Sequence, residues 1–262
     1  MTRYETHGAM CTQPKSQPFV RNGILATLPP AELAHLRPFL NPVVLRQRAV
    51  IDGAGSPIEF VNFVESGLVS LRVGTAGSAV EFAMVGFRGA TGLSALLGLP
   101  HAPCESVVLV EGKALQLPAE TLLRVVQARA VCREHLLRQI HVQIAYSAQT
   151  ALCGLRHDLT ARLASWVCLA SYHLGGHVLP VTHEDISTLL GLHRSGVTDA
   201  LSRLEQLGLL RKMRGVIELC DREGLRQIAC ACYGEIVAAH DAARRPDGDV
   251  PARFESDGGR RQ

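Results

Sequence analysis

Apolar residues between positions 42 and 117 fall in short β-type runs: Val43-Val44-Leu45, Phe60-Val61-Asn62-Phe63-Val64, Val69-Ser70-Leu71-Arg72-Val73, Val80-Glu81-Phe82-Ala83-Met84-Val85 and Ser106-Val107-Val108-Leu109-Val110. Residues 52–57, 65–67 and 74–78 between them have turn compositions, because glycine supplies φ > 0 and proline fixes φ. Many short strands with no helical pattern between them predict an antiparallel roll, barrel or sandwich, not a parallel βαβ sheet. The texture changes at Pro118, which suits a first helical turn. From there to about Leu174 glycine is scarce and the period is helical. Leu137, Ile140, Ile144, Ser147, Ala151 and Gly154 recur at spacings of 3, 4, 3, 4 and 3, which predicts a coiled-coil-like dimerisation seam. Its small C-terminal members would let two backbones approach. A helix packed on its own domain is the other reading of the same stripe.

The stretch from Leu179 to Leu219 is the most informative. Thr182 suits a helix N-cap, and Asp185 supplies a carboxylate to the first turn. Residues 184–190 read as a helix that buries Ile186, Leu189 and Leu190 and stops at Gly191. A second helix starts near His193, with Val197, Leu201 and Leu204 as its buried stripe and Gly208 as its end. Ser195, Thr198, Asp199 and Ser202 form the opposite polar stripe, flanked by Arg194 and Arg203. A short helix, a glycine turn and a second helix with a polar N-terminus make a helix-turn-helix. Small Ser187 lets the helices touch, Gly191 permits the left-handed turn, and Val197 is buried; Ala200 stands where a larger aliphatic residue is common. Residues 209–219 then predict a tight β-hairpin, a wing with Arg211, Lys212 and Arg214 near its tip and in reach of phosphates. A plain αα-hairpin is the simpler reading of two Leu-rich helices, but it leaves the basic hairpin and the Arg/Ser/Thr stripe without a purpose.

These motifs sit in a chain of 262 residues, 47% hydrophobic and 19% charged, which is core enough for two modest domains. Lys plus Arg exceeds Asp plus Glu by only 3, so a DNA-binding face has to be argued from position and not from total charge. With no signal-like apolar stretch and no run near the roughly 20 apolar residues of a membrane span, a cytoplasmic protein without membrane partners is expected. The eight cysteines (11, 104, 132, 153, 168, 220, 230 and 232) lack a framework spacing and are expected as reduced thiols. Residues 1–20 and 241–262 are aperiodic and are expected as loose tails.

The segments Leu-Pro-Val-Thr-His-Glu-Asp-Ile (179–186), Leu-Leu-Gly-Leu-His-Arg-Ser-Gly-Val-Thr (189–198) and Leu-Glu-Gln-Leu-Gly-Leu-Leu (204–210) resemble the Crp/Fnr family of bacterial transcription regulators. The resemblance covers about residues 25–235, and Gly-Ser-Pro-Ile-Glu-Phe-Val-Asn-Phe-Val-Glu-Ser-Gly-Leu-Val-Ser (55–70) looks like that family's β-roll sensor. Cys230-Ala231-Cys232-Tyr233 after the wing is similar to one branch of it. The resemblance implies an α+β chain: a cyclic-nucleotide-binding-like antiparallel β-roll at 21–128, a long dimerisation helix at 129–156 and a C-terminal winged helix-turn-helix at 157–240. It implies a homodimer on double-stranded DNA, with RNA polymerase as a further partner. The expected DNA contacts are Thr182, His183, His193, Arg194, Ser195, Thr198, Asp199, Arg203 and Arg214. Of these Arg194, Ser195 and Asp199 match the family's base-reading positions. Asp199 has a second reading, as a carboxylate that orients Arg194 or Arg203.

The sensor departs from the cyclic-nucleotide pattern. Gly92 is present, but Leu93 replaces the acid, no arginine precedes Ser106, and Glu105 would repel a phosphate. Weak or absent cyclic AMP binding is therefore expected, with Gly92, Leu93, Cys104 and Ser106 around an effector of unknown identity and Cys104 as a weak candidate redox handle. No cofactor and no metal site is expected. Cys230 and Cys232 read as buried thiols pointing apart on a C-terminal helix, and His135, His141 and His157 have no ligand spacing. His173, His177 and His183 read as solvated residues flanking a loop. Two other classes compete. A cupin-like metalloenzyme needs inward histidines, and none lies between His35 and His101. A regulatory module acting through protein contacts would leave the recognition helix and wing unused. No nucleophile elbow, phosphate loop or paired-carboxylate motif suggests an enzyme.

Overall fold

The computed structural model describes residues 20–75 and 78–245. Most of both expected tails, Cys11 and the middle of the turn at 74–78 lie outside the described residues.

Helices α1 (Gly23–Thr27) and α2 (Pro30–Leu36) open the chain, and a 3-10 turn (Arg37–Phe39) leads into the sheet. Asn22 accepts from the amides of Ile24 and Leu25, and its own amide donates at 2.8 Å to both Val64 and Gly89, which pins this segment to the roll. The roll contains β1 (Asn41–Leu45), β2 (Val50–Asp52), β3 (Phe60–Thr75), β4 (Ser78–Val85), β5 (Ala90–Thr91) and β6 (Glu105–Pro118). It is antiparallel throughout, in the order β1-β6-β3-β4, with β2 added to β6 and β5 to β3.

The turn expected at residues 65–67 is corrected by the structure: β3 runs through it as one 16-residue strand. Its register against β6 slips around Ser66, with Gly67 at φ +87°. Val61, Phe63 and Val64 on one side and Leu68, Val69 and Leu71 on the other are all buried. A bulge keeps both sets facing inward on one long partner, whereas a reversal would part them.

The helical stretch after Pro118 is broken twice, into α3 (Ala119–Ala128), α4 (Ala130–Arg156) and α5 (Leu159–Leu174). One face of α4 packs on the roll through Cys132, Leu136, Ile140, Val142 and Tyr146. The expected seam is corrected accordingly. Ile140 is buried in the chain's own core, and Ser147 is half-buried with its hydroxyl donating to Gln143 O at 2.7 Å. Ile144 (63% exposed) and Ala151 do face outward, and the outward row continues through Ala148 to Leu155 (85% exposed). Exposed His141 extends it backward, and Leu137, half-buried against the same core as Ile140, stands at its head, so residues 137, 141, 144, 148, 151 and 155 keep an alternating spacing of 4 and 3.

Helix α5 is buried along most of its length and touches β3 and β4 on one side, β7 (Val178–Leu179) and the C-terminal helices on the other. His173, expected in solvent, is fully buried at its end. Its ring stacks near Tyr146 and meets Tyr172 and His240 edge-on, and burial lowers the pKa of both histidines, to about 4 for His240. The chain closes with α6 (His183–Leu190), α7 (Arg194–Gln206), β8 (Leu210–Met213), β9 (Val216–Leu219), α8 (Arg222–Ile228) and α9 (Cys232–Ala243). Helix α9 runs three residues past the expected tail boundary at 241 and packs on α4. One apolar core, from Leu45 in the roll to Ile236 in α9, joins roll and C-terminal unit.

Candidate nucleic-acid interface

Helix α6 begins with a reciprocal cap: Thr182 Oγ1 accepts from the Asp185 amide at 3.1 Å, while Asp185 Oδ2 accepts from the Thr182 amide at 2.9 Å. Gly191 ends it at φ +62°, a backbone that costs a side-chain-bearing residue about 1–2 kcal/mol. The Leu192 amide then bonds back to Ser187 O at 2.9 Å, and the chain re-enters a helix at Arg194. Ile186, Leu189, Val197, Leu201 and Leu204 are each at most 1% exposed, so the two helices are fixed by a dry interface.

That packing turns the N-terminal polar side of α7 outward. His193, Arg194, Ser195, Asp199 and Arg203 are exposed, and Arg214 is exposed in the wing turn. Thr182 is exposed beside them, but its hydroxyl is committed to the cap. Thr198 and His183 are half-buried. The Thr198 hydroxyl donates to Arg194 O at 2.9 Å, so it accepts from His183 Nδ1 at 3.2 Å, and this tie joins the two helices. Burial, with Lys212 and Arg194 nearby, lowers the His183 pKa and keeps the ring neutral at neutral pH. Arg194 is paired with Glu184 at 3.4 Å across the helix turn, and among the described residues Asp199 forms no ion pair. The carboxylate that orients Arg194 is thus Glu184, a residue the sequence reading passed over. Both side chains are about two-thirds exposed, so the pair adds little stability and leaves the guanidinium available.

The wing is β8 and β9 joined at Arg214-Gly215, with β7 as a third strand on β9. Of its three basic residues, Lys212 is not at the tip. Its Nζ lies 3.1 Å from Glu205 Oε2 and donates to Ser202 Oγ at 2.7 Å, which clamps the wing to α7. Arg211 is paired with Glu218 at 3.7 Å.

Gly92, Leu93, Cys104 and Ser106 do converge, around a cavity of about 220 Å³ between the roll and α4. Its α4 wall is Ile140, Gln143, Ile144 and Ser147. Gly92 has φ +76°, and a Cβ there would collide with Phe60 O, so glycine is required for packing whatever the cavity holds. Asp52 points into the cavity, its carboxyl raised above the usual range by burial. Burial, then the Asp52 charge, pushes Cys104 up to about 11, which makes it a poor redox handle.

The reading of Cys230 and Cys232 as diverging helical thiols is corrected too. Cys230 lies in the turn before α9, which begins at Cys232, and both sulfurs converge with Cys153 and His157 at the end of α4. A Cys-x₃-His pair one helical turn apart, answered by Cys-x-Cys, was the sequence signal for this cluster. His135 is a core residue, its Nε2 2.9 Å from Ile24 O.

Residues 161–228 match the family of Crp-like helix-turn-helix domains. No curated protein matches the chain in sequence. Several solved structures share its fold. FixK2 from Bradyrhizobium japonicum is 19% identical, with a TM-score of 0.64 over 73% of this chain and 98% of that one. TTHA1359, a CRP/FNR-family transcriptional regulator from Thermus thermophilus, is 24% identical, with a TM-score of 0.56 over 72% and 98%. CLP, a c-di-GMP-responsive global regulator of Xanthomonas campestris, is 16% identical, with a TM-score of 0.58 over 72% and 98%. Residues 161–228 are therefore a Crp-like helix-turn-helix domain, and the chain that carries it shares the fold of these solved regulators.

Proposed function

We propose that the protein acts as a homodimer that reads a pseudo-palindromic site in double-stranded DNA with the N-terminal face of α7. The observation that carries this reading is the outward cluster of Arg194, Ser195 and Asp199 on a rigid helix pair, flanked by the exposed Arg214 of the wing. Arg194 donates two hydrogen bonds to guanine O6 and N7, Asp199 accepts from cytosine N4, and Ser195, Arg203, His193 and Arg214 reach bases or phosphates. Thr182, His183 and Thr198 hold the helices in register beside them.

The α4 row of Leu137, His141, Ile144, Ala148, Ala151 and Leu155 forms the dimer seam. It is apolar at most positions, exposed over its C-terminal half, and spaced for a two-stranded coil. Two copies then set their recognition helices about 34 Å apart, one turn of DNA. The division is a roll sensor at 21–128, a dimer helix at 129–156 and a DNA-binding domain at 157–240. The protein works in the cytoplasm by binding, not catalysis, with RNA polymerase as a further partner.

The roll cavity is the effector site. Its lining is largely apolar, with the Asp52 carboxyl and no arginine, which disfavours a cyclic phosphate. A ligand there touches Ile144, a seam residue, and so biases the dimer helix. The test is selection of genomic fragments by the purified protein without effector, followed by sequencing. A recovered pseudo-palindrome supports the reading. Failure to retain DNA under any condition by a protein that is dimeric in solution overturns it.

A further inference from the structure

The junction between α4 and the C-terminal domain holds a four-residue cluster that DNA reading does not use. Cys153 is in the last turn of α4 and His157 caps it, the His157 amide bonding back to Cys153 O at 3.2 Å. The i, i+4 spacing puts both side chains on one face. Opposite them stand Cys230, in the turn between α8 and α9, and Cys232, the first residue of α9. One ligand atom from each of the four lies within 4.8 Å of all the others. Cys153 and Cys230 sulfurs are 3.4 Å apart, and Cys232 Sγ is 3.6 Å from His157 Nδ1. A tetrahedral ion with metal–sulfur bonds of about 2.3 Å sets its sulfurs about 3.8 Å apart, so the cluster is close to the size of one ion.

We propose that Cys153, His157, Cys230 and Cys232 form a structural zinc site that clamps the end of α4 to the C-terminal domain. Three soft sulfurs and one imidazole are a donor set that zinc takes in structural sites. The second shell is in place. Ser165 Oγ accepts from the Cys230 amide at 2.9 Å, which leaves its own proton to donate to Cys230 Sγ at 3.0 Å. Binding releases the three thiol protons to solvent, and the site carries one net negative charge. Arg162, which lines the adjoining cavity with Cys153 and Cys232, stands near to offset it. Cys153 and His157 are only half-buried, so the ion has a way in.

The site spans residues 156–158, where α4 gives way to α5, and zinc there fixes the angle between the dimer helix and the DNA-binding domain. The metal site does not depend on the DNA-binding reading, and its test contains no DNA. The full-length protein is purified reduced, stripped of metal and titrated with Co(II), then with Zn(II). The expected result is one Co(II) per chain with the thiolate charge-transfer and tetrahedral d–d absorption of a sulfur-rich site, displaced by one Zn(II). Cys153→Ser, His157→Asn and Cys232→Ser each lower Zn(II) affinity more than about 100-fold, beyond what an outer-shell loss costs. Cys220→Ser, an exposed cysteine outside the cluster, leaves it unchanged. A fully reduced wild-type chain that gives no tetrahedral cobalt spectrum overturns the proposal. So does a metal that survives all three substitutions, or an iron–sulfur chromophore in place of a single ion. The wild-type cobalt spectrum decides the matter even if a variant fails to fold.

Discussion

Trp166 Nε1 on α5 donates a 2.7 Å hydrogen bond to Glu81 Oε1 on β4, and both side chains are buried between the roll and the C-terminal unit. Burial pushes the Glu81 carboxyl up to about 7, against the smaller opposing effects of its hydrogen bonds and of Arg72. A carboxyl raised in the folded state favours folding most below its unfolded pKa, near 4.5, and that contribution is lost as pH rises through about 7. The loss is on the order of 3 kcal/mol. Thermal unfolding of the wild type is expected to show falling stability from pH 5 to 8. Glu81→Gln, whose amide oxygen still accepts from Trp166, flattens that slope and is the more stable protein at pH 8. Parallel pH profiles for the two proteins would dissociate the slope from Glu81.

Arg194→Ala is expected to remove sequence preference while nonspecific binding keeps most of its salt dependence, because the exposed Arg203 and Arg214 remain. The loss at the contacted base is about 1–3 kcal/mol. Selection sequencing of the variant checks this, and an unchanged base preference would make Arg194 a bystander. Glu184→Gln, which removes the carboxylate beside Arg194, is expected to weaken that preference less than loss of the arginine does.

Leu155→Asp tests the α4 row. Leu155 is 85% exposed in the single chain, so the substitution leaves the monomer fold intact. Two carboxylates facing each other across an apolar seam are expected to shift the protein to monomer at micromolar concentration. Sedimentation velocity reads the change directly. A dimer of wild-type strength would place the interface elsewhere.

Gly191→Ala is expected to cost about 1–2 kcal/mol, seen as a lower urea midpoint at unchanged slope. The residue sits at φ +62° and its Cβ would come within 3.3 Å of Val80 Cγ2 on β4, so relaxation of the turn is limited.

Titration calorimetry with cyclic AMP is expected to give no heat in the micromolar range. The cavity presents Asp52 and apolar walls where a phosphate needs cations. Micromolar affinity would mean that the cavity rearranges around the ligand.

The helix-turn-helix was legible because its signals are local. Thr182 and Asp185 are three residues apart, Gly191 needs only its own φ, and Val197, Leu201 and Leu204 share one helix face. The wing was legible for the same reason, since a two-residue turn closes β8 on β9. The long strand β3 was not. A glycine-containing segment between two apolar runs has the composition of a turn, and only the partner strand β6 decides that the chain runs straight on. The α4 stripe shows the same limit. Periodicity finds apolar faces, but Ile140 and Ile144 differ in fate because the roll covers one and leaves the other bare.

Sequence alone determined the two-part order of the chain, a β-rich half followed by helices and a winged helix-turn-helix, and placed Arg194 at the start of the second helix of that motif. Caps, turns and periodicities act over a few residues, so a single pass along the chain reads them. Tertiary structure alone decided which face of α4 is free, that Glu184 holds Arg194, and that Cys153 meets Cys230 across 77 residues. Those relationships depend on how separate elements pack, and no local spacing encodes the distance between side chains that only the shared core brings together.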